Sequence, residues 1–260
     1  MAQSEGAASA RSEGSAAAVG REGPGGPTGP VLAVFTHPDD CEIACGATLA
    51  RWAAAGAEVV VVVVSDGEKG SQDPAADRRA LVATRHEEAR AAAAAMGARE
   101  VRFLDVVDGE VENTPALRAE LVRTVREVRP ARVLCPDPTA WFFGTGYYNH
   151  RDHRATGEAV LDAVSPAAGN PHFFPEQLAD GLGVWKVRDV WLAPTLEPNH
   201  VEDVTGFVET KLAALACHAS QLASDQLGFF REWIGREAAE AGARIGAEHG
   251  ESFRVLNLED

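Results

Sequence analysis

Val31-Leu32-Ala33-Val34-Phe35-Thr36-His37-Pro38-Asp39-Asp40 is the stretch from which the fold is read. Its first five residues are apolar without alternation, the pattern of a short strand buried on both faces, as in a parallel sheet covered by helices. Pro38 has no N–H to give to a sheet ladder, and the doubled Asp favours a turn and a helix start. The run from Glu42 to Trp52 is rich in helix formers. A His and two carboxylates therefore stand at the carboxyl end of a strand, where open α/β sheets place their ligand sites.

Working outward, Gly56-Ala57 reset the chain, and Glu58 leads into six consecutive valines, Val59 to Val64, a second buried strand. This runs into the turn-rich Ser65-Asp66-Gly67-Glu68-Lys69-Gly70, at the same sheet edge as His37. The spacing predicts a helix over 74–96, starting near Pro74 and closed by Gly97, and a third strand over 101–104. Thr114-Pro115 supplies a helix cap and a first-turn proline, and Leu117, Leu121, Val125 and Val128 give a helical stripe up to Pro130. Arg132 to Cys135 is a fourth strand. A long aromatic loop over 137–152 follows, then a helix over 155–163, an irregular segment over 165–185, a strand over 187–192 and a helix over 205–223. From Phe229 a further helix and a weakly patterned closing segment are expected. Strands and helices alternate, which implies an α/β, Rossmann-like three-layer fold with a mostly parallel central sheet. Neither a P-loop nor a GxGxxG fingerprint is present.

The chain has 260 residues and a formal net charge of -15, which argues against nucleic acid or an anionic membrane surface as a partner. No apolar run is long enough for membrane insertion. Residues 1–29 are rich in Ala, Gly, Ser and Pro without an apolar core, and read as a disordered tail rather than a secretory signal. Residues 30–260 then form a single domain. Four cysteines at scattered positions fit free thiols and a cytoplasmic location.

Asn149-His150-Arg151-Asp152-His153 has the same placement as the first cluster, after a strand and at the opening of a helix. Taken singly, each cluster reads as a turn and a helix cap. Taken with His37 and Asp40, the second completes two imidazoles and a carboxylate for one ion. Three such ligands leave a position for water, whose pKa falls toward about 7 on zinc. The chemistry also needs a proton acceptor that is near the ion without ligating it, and Asp39 adjoins Asp40. It needs a donor for a developing oxyanion, for which His150 and Tyr148 are the candidates. Cys41 and Cys45 are a weaker ligand pair, since both fall in the following helix and no second Cys pair completes a structural site.

At these residues the sequence resembles the zinc-dependent N-deacetylases of the LmbE-like, or PIG-L, family, over roughly Val31 to Gln221. Three ordered stretches carry the likeness: His37-Pro38-Asp39-Asp40-Cys41-Glu42 followed by Gly46 to Ala50; Tyr148 to His153; and Lys211 to Gln221. The resemblance implies that His37, Asp40 and His153 hold Zn2+, that Asp39 is general base and then general acid, that His150 and Tyr148 stabilise the oxyanion, and that Asp152 tunes His150. It also implies that Glu68 and Arg85 line a sugar pocket. Two departures stand out: Cys41 lies between the Asp pair and Glu42, and Arg151 replaces a Pro common in the second motif.

Read without the resemblance, Arg85 equally well pairs with Glu88 on a solvated helix face, Glu68 is a solvated loop residue, and His218 is a core histidine beside Leu215 and Leu222. Trp141 and the two Phe after it cover the pocket or pack beneath the loop. The expected activity is hydrolysis of an N-acetyl or other N-acyl group on an amino sugar or sugar conjugate. The rivals are an amidase for a thiol conjugate or natural-product scaffold, and a sugar-binding relative without catalysis. Fe2+ suits the same His/His/Asp donors, and a homo-oligomer is compatible with everything read here.

Overall fold

The protein is described by a computed structural model covering residues 26–222 and 226–258. Most of the expected N-terminal tail, and residue 223 of the helix expected over 205–223, lie outside the described residues. Strand β1 (Val31–Phe35) is paired in parallel with β2 (Val59–Ser65) on one side and β4 (Arg132–Cys135) on the other. β3 (Glu100–Val106) extends the sheet past β2, and β7 (Asp189–Leu192) extends it past β4, both parallel. β9 (Gly250–Asn257) runs antiparallel to β7, and β8 (His200–Asp203) antiparallel to β9. The order is β3-β2-β1-β4-β7-β9-β8, a mostly parallel sheet with an antiparallel edge.

Both faces are covered, which is why the strand sequences do not alternate. Leu32, Val34, Val60, Val62 and Val64 pack with residues of α3 (Pro115–Val128) and α4 (Arg151–Asp162). Val31, Ala33, Phe35, Val59, Val61 and Val63 pack with α1 (Asp40–Ala54) and α2 (Arg78–Ala95). Behind α1, a third cluster joins Ala47 to α6 (Val208–Leu215) and α7 (Gln226–Ala243). The three layers follow the sequence expectation. No helix among the described residues is long and apolar enough to cross a membrane.

Several boundaries differ from the sequence reading. Helix α2 begins at Arg78 rather than near Pro74, because the Asp77 carboxylate accepts from the N–H groups of Arg79 and Ala80 and caps it there. The aromatic loop contains a hairpin, β5 (Phe142–Phe143) with β6 (Tyr147–Tyr148), turning at Gly144 with φ 59°. The 165–185 segment holds a π-helical turn, Ala163–Ala168, and a short helix, α5 (Pro175–Ala179). It is organised from outside: buried Arg126 of α3 donates to the carbonyls of Ala167, Ala168, Asn170, Phe173 and Phe174. The closing segment is a complete strand, β9, with a charged residue, Glu251, at a buried position.

From β1 the chain moves outward to β2, whereas from β4 it goes on to β7 on the other side. Such a reversal opens a crevice between neighbouring strands at their carboxyl ends. Helices α1 and α4 both start at that crevice, which brings 37–40 and 149–153 together.

Candidate metal centre and active site

His37, Asp40 and His153 meet at the crevice. His37 Nδ1 lies 3.3 Å from Asp40 Oδ2, His153 Nε2 lies 3.1 Å from the same oxygen, and the two ring nitrogens are 3.2 Å apart. A tetrahedral divalent ion with bonds of about 2.1 Å has donor–donor edges of about 3.4 Å, so this near-equilateral triangle has the size of one face of such a site. The donors are held from behind. Asp40 Oδ2 accepts from the His37 backbone N–H at 2.8 Å. The His153 Nδ1 pairs with Asn149 Oδ1 at 2.9 Å, which places the ring proton on Nδ1 and leaves the Nε2 lone pair for a ligand bond.

The pocket calls for positive charge. Burial opposes protonation of His37, yet Asp108, Asp152 and Asp40 together push it up to about 12. A cation in the donor triangle answers the same demand. His37 Nε2 lies 3.3 Å from Asp108 Oδ1 and 3.8 Å from Asp152 Oδ2, so both carboxylates act on the ring by their charge rather than through an aligned hydrogen bond. Asp152, fully buried, is fixed by the Gly109 N–H at 2.6 Å. Its carboxylate faces His37, and at 4.0 Å from His150 Nδ1 it makes no hydrogen bond to that ring, although its charge acts on the ring to raise the His150 pKa.

Asp39 is set apart from its neighbour. Its Oδ2 lies 3.4 Å from Arg85 Nη2 and it is absent from the donor triangle. Burial and the adjoining Asp40 raise the Asp39 carboxyl above its ordinary value, with Arg85, His218 and His37 restraining the rise. Asp40 goes the other way: burial opposes its charge, but His153 and His37 hold it well below the usual range. Two carboxylates whose environments drive them apart can divide the labour of ligand and base.

Arg85 is buried rather than on a solvated face, and Glu88 bonds Ser220 instead (2.7 Å to its N–H, 2.6 Å to its hydroxyl). Arg85 Nη1 donates to the Gly67 carbonyl at 2.8 Å. Gly67 adopts φ 65°, and a Cβ there would overlap the guanidinium. Glu68 accepts from the Asp108 N–H at 3.1 Å and so joins the two loops at the pocket rim. His218 is fully buried, 3.4 Å from Glu42 Oε2, behind Asp39.

His150 caps α4. Its Nδ1 accepts from the Asp152 N–H at 3.3 Å, and its ring centre is 5.1 Å from that of His37. Burial and the charge of His37 lower its pKa, and because Nδ1 accepts a backbone N–H, the neutral form of the ring has its proton on Nε2. Within the hairpin, side chains alternate between faces. Tyr148 pairs with Phe142 and its hydroxyl accepts from Arg154 at 3.1 Å, whereas Phe143 and Tyr147 pair on the other face and line the cavity beside Asp40 and His153. Tyr148, expected at the oxyanion, therefore stands on the outer side, half exposed. Sequence reading missed Asp108 and Tyr147. Asp108 stands in the Asp108-Gly109 turn after β3, at the same sheet edge as His37, a turn signal that does not by itself mark a site residue.

Comparison with known proteins agrees with this arrangement. Residues 32–164 match the family PIG-L, GlcNAc-PI de-N-acetylase. The chain is 33% identical to the diacetylchitobiose deacetylase of Thermococcus kodakarensis, covering 87% of this chain and 82% of that protein. It is 32% identical to the 1D-myo-inositol 2-acetamido-2-deoxy-alpha-D-glucopyranoside deacetylase of Acidothermus cellulolyticus, covering 75% of this chain and 80% of that one. The structure of the N,N'-diacetylchitobiose deacetylase from Pyrococcus horikoshii, in complex with its inhibitor MPG, superposes with a TM-score of 0.81 at 30% identity, over 88% of this chain and 84% of that one. With the fold, the two clusters and these likenesses in agreement, the chain belongs to the PIG-L (LmbE-like) family of de-N-acetylases.

Proposed function

We propose that this protein is a metal-dependent hydrolase that removes the N-acyl group of an amino sugar or sugar conjugate. His37, Asp40 and His153 would hold the ion, Zn2+ or Fe2+, which when bound supplies a Lewis acid and lowers the pKa of water at the site. Asp39 takes the proton of the attacking water and returns it to the amide nitrogen as the C–N bond breaks, so that a carboxylate and a free amine leave. The His150 Nε2–H stabilises the oxyanion of the tetrahedral intermediate. Asp108, Glu68 and Arg85 form the polar side of the site, where sugar hydroxyls would bind. The observation that carries this reading is the split between adjacent carboxylates: Asp40 sits in the donor triangle while Asp39 is turned to Arg85. A binder has no need of the second acid.

The test is a panel of N-acetylglucosamine, diacetylchitobiose and GlcNAc-inositol, with amine and carboxylate release measured on protein reconstituted with Zn2+ or Fe2+. Equimolar release of both from at least one member is expected, with loss of turnover on chelation. If a fully metallated protein releases no amine from any member, nor from N-butanoyl- to N-octanoylglucosamine, the reading fails.

A further inference from the structure

A cavity of about 700 Å³ opens directly beside the metal centre. Asp40 and His153 form part of its wall, while His37, Asp39, Arg85 and Asp108 lie outside it. Past those two ligands the lining is mostly apolar, including Ala44 and Ala47 of α1, Phe143 of the hairpin, and Phe230, Trp233 and Ile234 of α7. Of the charged residues past the ligands, buried Lys211 and Glu251 neutralise each other through a 2.6 Å ion pair, Glu251 also accepting from the N–H of Thr48, and Glu237 of α7 is exposed and pairs with Arg236 at 3.5 Å. The metal centre thus stands between two unlike spaces: a polar one at Asp108, Glu68 and Arg85, and an apolar one beneath α7.

An amide has one substituent on each side of the bond that is cut. If the carbonyl carbon lies between the donor triangle and Asp39, one substituent enters each space. The hydroxylated amine fits the carboxylate- and guanidinium-lined side. The acyl group then enters the apolar side, where an acetyl methyl would leave nearly all of the volume empty. Sites of roughly 300–1,000 Å³ accommodate ligands of drug size.

We propose that this cavity is an acyl-chain site, and that the protein hydrolyses N-acyl amino sugars with straight apolar chains longer than acetyl, in the butanoyl to octanoyl range. The proposal rests on the N-acyl hydrolase reading above and adds the acyl class. The reaction balances as amide hydrolysis: the water oxygen joins the acyl carbon, the C–N bond breaks, a water proton passes to nitrogen, and an alkyl carboxylate and an amino sugar are released.

The test compares N-acetyl-, N-butanoyl-, N-hexanoyl- and N-octanoylglucosamine by amine release. The expected kcat/KM rises about fourfold per methylene until the cavity is filled, the value set by burial of one CH2. Ala44→Phe, which fills the space next to the ligands, lowers the octanoyl-to-acetyl ratio of kcat/KM at least tenfold, and Ala238→Phe does the same from the far wall. A readout independent of turnover is calorimetric binding of octanoate, expected to be at least a hundredfold tighter than acetate and weakened by the same substitutions. Cleavage of the acetyl compound with a flat or falling series overturns the acyl site and leaves the hydrolase reading intact. No cleavage anywhere in the series, together with none of diacetylchitobiose or GlcNAc-inositol, fails the hydrolase reading itself. A gain that appears with octyl glycosides of N-acetylglucosamine, and not with longer acyl groups, overturns assignment of the cavity to the acyl side.

Discussion

Asp39 and Asp40 share a turn and a neighbourhood, yet one is held ionised between two imidazoles and the other is pushed toward protonation by burial and by its neighbour. Their roles separate under substitution. Asp39→Asn keeps the side-chain volume and leaves the donor triangle complete, so one ion per chain is retained in elemental analysis. Its kcat/KM drops by about 10²- to 10⁴-fold, the range for loss of a general base. Asp40→Asn removes a proposed ligand, and metal content is expected to fall along with activity; equal metal loss in both variants would refute the division of roles. At this scale the sequence was legible where chemistry is written in adjacent letters. A strand end, a proline and an acidic pair identify 37–40, and a second His/Asp cluster at a helix start identifies 149–153. Asp108 was not legible, because Asp-Gly is ordinary turn chemistry and only the sheet brings it to His37. Tyr147 and Tyr148 cannot be told apart until the hairpin register fixes which one faces the cavity.

At the scale of elements, α4 shows how a helix is aimed. Gly157, one turn beyond His153, packs so closely on the Pro136 carbonyl that a Cβ would overlap it. Thr36 at the end of β1 reaches the same helix, its hydroxyl 3.0 Å from that of Thr156. Gly157→Ala must therefore push α4 off β4, at a cost of about 1–3 kcal/mol for overpacking. Because His153 moves with the helix, metal affinity falls together with the denaturation midpoint; an unchanged affinity would show that α4 does not set the ligand position. Arg126 does for the 165–185 segment what no local pattern could do. Five backbone carbonyls converge on one buried guanidinium from a different helix. This is why the segment reads as irregular in sequence while it is ordered in the structure. Arg126→Met leaves those carbonyls without their donor and is expected to destabilise by about 3 kcal/mol or more in urea titration. A loss under 1 kcal/mol would mean that the segment is held by its own packing. The β9 strand was obscured for a related reason, since Glu251 takes a buried position that an apolar residue would otherwise mark, and its partner Lys211 lies 40 positions away.

For the whole molecule, the proposed metal site would tie stability to metal, because the three residues of the donor triangle come together only when β1, α1 and α4 are in place. His37 and His153 are 116 positions apart, so the unfolded chain offers no comparable site. A ligand that binds only the folded state at a thousand times its Kd stabilises by about 4.1 kcal/mol. For a domain of this size each kcal/mol raises Tm by roughly 2–4 °C, so saturation with Zn2+ should raise Tm by about 10 °C, and a chelator should reverse it. Substitutions sort the residues further in the same scan. His153→Ala is expected to lose the metal-dependent shift, while Asp39→Asn retains it in full despite its lowered kcat/KM. A wild-type Tm that is the same with saturating Zn2+ or Fe2+ as with chelator would mean that the triangle binds neither ion in the folded protein, and the hydrolytic mechanism built on it would fall.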